Sequence, residues 1–116
     1  MVEIWGENFN VSYEPVSQTI SFVGSCRLFP DDYEVISRLL TRILEEAPET
    51  ITLDLRALEY LNSSGISMLT SFVINIRNLQ SSRLVVLGSR AYPWQNYSLR
   101  NFQRLLPSLE LEVEAG

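Results

Sequence analysis

Apolar and polar residues alternate from Asn8 to Tyr13, with Phe9, Val11 and Tyr13 on one side. A period of two predicts a half-buried strand. A turn over Glu14–Gln18 and a second strand over Thr19–Val23, with Ile20 and Phe22 sharing a face, complete a hairpin. Ile4 and Trp5 either extend the first strand or cover its edge. The period then changes. Pro30-Asp31-Asp32 reads as a helix start, with acids beside the positive end of the helix dipole. Tyr33, Ile36, Leu39, Leu40, Ile43, Leu44 and Ala47 follow at helical spacing, so a helix is predicted to about Ala47, where Pro48 ends it. Ile51–Leu55 reads as a short interior strand, and Arg56–Asn62 as a loop. A second helix is predicted from Ser63 to about Leu79, its buried stripe being Ile66, Leu69, Phe72, Val73, Ile76 and Leu79. After the polar break Gln80-Ser81-Ser82, Arg83–Gly88 is an apolar, β-branched strand. Residues 88–97 read as an aromatic loop and Ser98 to about Leu106 as a third helix. Leu109–Val113 reads as an edge strand whose glutamates discourage stray pairing.

Strands alternating with helices imply right-handed parallel crossovers. The expected fold is α/β, with an N-terminal hairpin feeding a mixed sheet of four or five strands. Alternating strands bury one side only, so the helices are expected to pack mainly on one face. A length of 116 residues without repeats or linkers fits one domain, 1–116.

Composition narrows the chemistry. The chain has no histidine and no lysine; all nine positive charges are arginine. A Ser-His-Asp or Cys-His group lacks its base, a P-loop lacks its lysine, and histidine zinc sites are excluded. No metal, no cofactor and no enzymatic activity are expected. Cys26 is the single cysteine, read as a small apolar residue at a strand end. No run of 18 apolar residues offers a membrane span, and Met1–Trp5 lacks the pattern of a signal peptide. A cytoplasmic protein is expected.

Charge is unevenly distributed. The net charge is −5, yet Tyr60–Leu109 contains no acid and five arginines, Arg77, Arg83, Arg90, Arg100 and Arg104. That stretch reads either as solvated arginines or as a partner surface. Tyr92, Pro93, Trp94 and Tyr97 interleave with Arg90, Arg100 and Arg104, a composition found at protein interfaces. The alternative is that these aromatics cover the end of the sheet. An acidic chain disfavours nucleic acid as a partner.

The most informative segment is Leu55–Ile66, a strand end, a short connection and a helix start. Asn62 or Ser63 can cap the helix by accepting a hydrogen bond from an amide one turn on. Carboxyl ends of parallel strands are where open α/β sheets place functional loops. A phosphate on Ser63 would be favoured there by the helix dipole, by about 0.3–1 kcal/mol per charge. Gly65 removes a side chain and is expected to let a partner backbone approach. Asp54 is expected close to Ser63, as a supporting strand-end cap.

Asp54-Leu55-Arg56 followed by Tyr60-Leu61-Asn62-Ser63-Ser64-Gly65-Ile66 resembles the signature of STAS domains, the bacterial anti-sigma-factor antagonist family. The family pattern is a strand ending in Asp-Leu, a loop, then Asp-Ser-Ser-Gly opening a helix. This chain departs from it at Asn62, where the family usually has Asp, and in an aromatic loop longer than in the shortest members. The resemblance implies a non-catalytic regulatory module that binds a protein partner. It implies phosphorylation at Ser63, with Ser64 the second choice, by a serine kinase that is often the anti-sigma factor itself. A PP2C-type phosphatase would reverse it. The implied partner surface comprises Asn62, Ser63, Ser64, Gly65, Ser67, Tyr92 and Trp94. Two other readings keep the fold: a small-molecule or nucleotide sensor holding a ligand phosphate at the same helix start, and a constitutive scaffold in which Ser63 only caps.

Overall fold

Strand order in the sheet follows chain order without interruption, β1-β2-β3-β4-β5-β6, in a computed structural model that describes residues 1–116. The strands are β1 (Val2–Trp5), β2 (Phe9–Glu14), β3 (Thr19–Cys26), β4 (Thr50–Leu61), β5 (Arg83–Ser89) and β6 (Glu110–Glu114). The first three pair antiparallel and the rest parallel, so the sheet is mixed. Helices α1 (Glu34–Glu45), α2 (Ser63–Leu79) and α3 (Pro93–Leu105) supply the crossovers.

Register rows show why one face is covered and the other is not. Tyr13, Ile20, Leu53, Val86 and Leu111 stand side by side across five strands. With Val11, Phe22, Ile51 and Leu84 they make a floor on which Ile36, Leu40 and Ile43 of α1, Leu69, Phe72 and Ile76 of α2, and Leu99 and Phe102 of α3 are buried. The neighbouring row, Glu3, Ser12, Ser21, Asp54, Leu87 and Glu112, lies on the opposite face. Period-two alternation thus sends carboxylates and hydroxyls to one side and aliphatics to the other.

Four boundaries differ from the sequence expectation. The sheet has six strands rather than four or five, because Val2–Trp5 forms a separate strand paired with β2. The predicted loop Arg56–Asn62 is mostly strand: β4 continues to Leu61 alongside β3. Two register shifts, between Ser21 and Val23 and between Gly24 and Ser25, make β4 the longer partner, so Leu55, Leu58 and Leu61 are all buried at a spacing of three. Gly24 accommodates the second shift at φ +97°, where a side chain would strike the Asn8 carbonyl. The predicted aromatic loop 88–97 shrinks to Arg90–Tyr92, because α3 begins at Pro93, its locked φ suited to a first helical turn. It is therefore not a long insertion. The predicted first helix opens as a separate 3₁₀ turn, Pro30–Tyr33, before α1.

Candidate functional site

Asn62 caps α2 from an extended backbone, φ −75° and ψ 174°. Its Oδ1 accepts from the Gly65 amide at 3.1 Å and from the Tyr33 hydroxyl at 2.6 Å. Its Nδ2 donates to the Leu28 carbonyl at 2.8 Å. The Tyr33 hydroxyl in turn accepts from the Leu28 amide at 3.4 Å. The Asn62 amide donates to the Cys26 carbonyl at 3.1 Å. This set ties the Cys26–Leu28 segment to the start of α2. A carboxylate at position 62 could not donate to Leu28, so the departure from Asp is built into the local geometry. Burial raises the Tyr33 pKa, the Leu28 amide opposing it and Cys26 and Tyr60 adding to it. Tyr33 therefore remains a neutral donor. Burial also pushes the Cys26 thiol up to about 11, which leaves it an unreactive core group.

Ser63, the first residue of α2, is exposed. Ser67, one turn on, is exposed too, and Ser64 is half-buried. Ser64 and Ser67 turn toward a groove of about 440 Å³ between α2 and the start of α1, with Pro30, Glu34, Ser37 and Met68 among its walls. Glu34 is paired with Arg38 at 2.7 Å. Beside the groove Phe29 is 79% exposed, and on the Tyr60 side the Arg27 guanidinium sits 4.0 Å from the ring centroid. Sequence periodicity missed the bond of Tyr33 to Asn62, the exposure of Phe29 and the stacking of Arg27 on Tyr60. Tyr33 read as the first member of a core stripe, and an isolated Phe or Arg between elements carries no pattern. The Leu28-Phe29-Pro30 run before a helix start was the available signal.

Other expected site residues are redistributed. Gly65 is buried, and a Cβ there would collide with Leu61 Cδ1 and approach the Tyr33 hydroxyl to 2.8 Å. It serves the inward packing of α2, not the approach of a partner backbone. Asp54 lies mid-strand, seven residues before Leu61, roughly 20 Å away along the strand. It is not near Ser63. Its carboxylate instead holds Arg56, at 3.0 and 2.9 Å to the side chain and 3.1 Å to the amide, on the open face. Burial pulls the Asp54 pKa upward, but the hydrogen bonds and charge of Arg56 outweigh it and hold the carboxyl below its usual value.

Trp94 is half-buried on the core, its Nε1 donating to the Leu58 carbonyl at 3.0 Å, so it closes the sheet end. Tyr92 is half-buried and precedes α3, while Tyr97 is 69% exposed. The unforeseen residue here is Gln95, fully buried. Its Nε2 donates to the Leu55 carbonyl at 2.7 Å and the Leu58 carbonyl at 3.1 Å, and its Oε1 accepts from the Ser89 amide at 2.9 Å. β5 pairs with β4 only as far as Asp54. Gln95 supplies the donors that β5 no longer provides to the irregular half of β4, the half that leads into Asn62 and Ser63.

No cluster of three or more metal-ligating side chains is present, and no helix is long and apolar enough to cross a membrane. The sequence profile of the STAS domain matches residues 29–107. No curated protein matches the sequence. Two solved structures share the fold over 100% of both chains. One is from the complex of the diguanylate cyclase SiaD with its activator SiaC from Pseudomonas aeruginosa, at TM-score 0.76 and 15% identity. The other is SiaC of Pseudomonas aeruginosa, at TM-score 0.74 and 16% identity.

Proposed function

The chain belongs to the STAS domain family, and on that premise we propose that it is a non-catalytic regulatory module whose protein partner docks over the start of α2, under the control of phosphorylation at Ser63. The observation that carries this reading is that Ser63, the first residue of α2, is exposed and directly precedes Ser64 in the wall of a groove whose other wall begins at Pro30, next in the chain to the exposed Phe29. Large aromatics at the edge of a cleft are typical interface anchors. The groove walls favour Ser63 over Ser64. Ser64 is half-buried in the groove wall, whereas Ser63 is exposed and lies outside it, open to a kinase.

Phosphorylation adds about −1.5 to −2 charges. A docked partner would have to desolvate that charge. A penalty of only ~3 kcal/mol weakens binding more than a hundredfold. The helix need not change shape. The partners implied are a serine kinase of the anti-sigma type, which doubles as the docking partner, and a PP2C-type phosphatase. A second reading of the partner is favoured by the full-length likeness to SiaC: a signalling enzyme activated by the docked module, as SiaD is by SiaC. A cytoplasmic location accords with either reading.

Phosphopeptide mapping of the protein from its native cells, in growth and in stress, tests the modification; phosphate on Ser63 in at least one state is expected. Affinity purification of Ser63→Ala and Ser63→Glu variants tests the consequence. The Ala form should retain a partner that the Glu form loses. Identical partners in both forms would refute the switch.

A further inference from the structure

A second concavity, of about 420 Å³, opens where the parallel strands β5 and β6 end beside the start of α3. It shares no lining residue with the groove at Ser64. Its volume falls within the range of small-molecule sites, and Ser89 and Val113 place it at the carboxyl ends of the two strands. We propose that this cleft binds a small phosphate monoester with an apolar body, through Arg90 and Arg100.

Neither arginine has a carboxylate partner; the molecule's ion pairs are Arg38–Glu34, Arg56–Asp54 and Arg83–Glu110. The reason is topological. Leu111 and Val113 of β6 line the cleft, while Glu110, Glu112 and Glu114 alternate to the other face of the sheet. The sheet therefore separates two free guanidinium groups from the acids that would otherwise neutralise them. Arg100 is also oriented, its Nε donating to the Asn96 carbonyl at 3.0 Å, which leaves its terminal nitrogens available. Two guanidinium groups match the charge of a phosphate monoester near neutral pH and suit its oxygens in geometry. Leu99, Leu111 and Val113 give the cleft an apolar wall for the remainder of the ligand. Inorganic phosphate fills only the charged end, and a monocarboxylate supplies half the charge.

The test is isothermal titration of the full chain with phenyl phosphate, inorganic phosphate and benzoate at low ionic strength, repeated on Arg90→Gln and Arg100→Gln. Both side chains are exposed, so the variants are expected to fold; circular dichroism verifies it. Saturable binding of phenyl phosphate, tighter than of the other two, is expected. Each substitution should weaken it at least about tenfold, the loss carried by one charge-assisted hydrogen bond. No saturable binding, equal affinity for benzoate, or affinity unchanged in both variants would overturn the proposal. None of these outcomes depends on the state of Ser63, so the phosphorylation switch stands or falls separately.

Discussion

Replacing Asn62 with Asp would restore the residue usual in the family, and the geometry predicts that it destabilises this chain. The substitution keeps the oxygen that accepts from Gly65 and Tyr33. It replaces the nitrogen that donates to Leu28 by an oxygen about 2.8 Å from a carbonyl oxygen, in a half-buried site. Losing that hydrogen bond costs about 1 kcal/mol, and leaving the Leu28 carbonyl facing another acceptor costs about 1–3 kcal/mol more. A charged cap recovers about 0.3–1 kcal/mol from the helix dipole and about 1 kcal/mol from stronger bonds to Tyr33 and Gly65. The net expectation is a loss of about 1–2 kcal/mol at pH 7. The Leu28 carbonyl opposes the charged form, so the introduced carboxyl has a folded pKa above its unfolded value near 3.9. Its protonated form can donate to Leu28 again. The deficit against the native chain is therefore full at neutral pH, and shrinks as pH falls through that raised value. Urea unfolding of both proteins at pH 7 and pH 4 measures it. An Asn62→Asp variant at least as stable as the native chain at pH 7, or a deficit that does not narrow on acidification, would refute the reasoning.

Gly65→Ala is expected to cost about 1–3 kcal/mol in urea unfolding, because the added carbon meets Leu61 and the Tyr33 hydroxyl. Gln95→Ala removes the side-chain partner of the Leu55 carbonyl and of the Ser89 amide, while Trp94 still donates to Leu58, and should lower stability by about 1–3 kcal/mol, with faster amide exchange over residues 55–61 than over 50–54. Asp54 is held below its ordinary pKa by Arg56, so its pairing stabilises the fold above the unfolded value near 3.9 and is lost as pH falls through the lower folded one. Arg56→Gln should therefore cost about 0.5–1 kcal/mol at pH 7 in low salt, and next to nothing below the folded pKa or in 1 M salt.

The helical stripes of α1 and α2 and the leading hairpin were legible because each buries one face, and burial of one face writes its period into the sequence. β4 beyond Asp54 was not. Its two register shifts turn a spacing of two into a spacing of three at Leu55, Leu58 and Leu61, and that spacing has no strand signature. The same misreading placed Asp54 beside Ser63, since a loop can fold back where a strand must run on. The start of α3 was hidden by its own residues: aromatics and Pro93 read as loop, and buried Gln95 has no periodic partner. At the site, the motif located Asn62 and Ser63, but Tyr33 and Leu28 join them through contacts 29 and 34 residues apart. Only the folded chain brings those together.

A sheet whose spatial order repeats its chain order can be laid down vectorially. As the nascent polypeptide leaves the ribosome, each new strand finds its neighbour already exposed at the growing margin, and none has to be wedged between two that have paired. Synthesis and assembly can then proceed in the same direction, each strand up to β6 adding to the margin its predecessor leaves open.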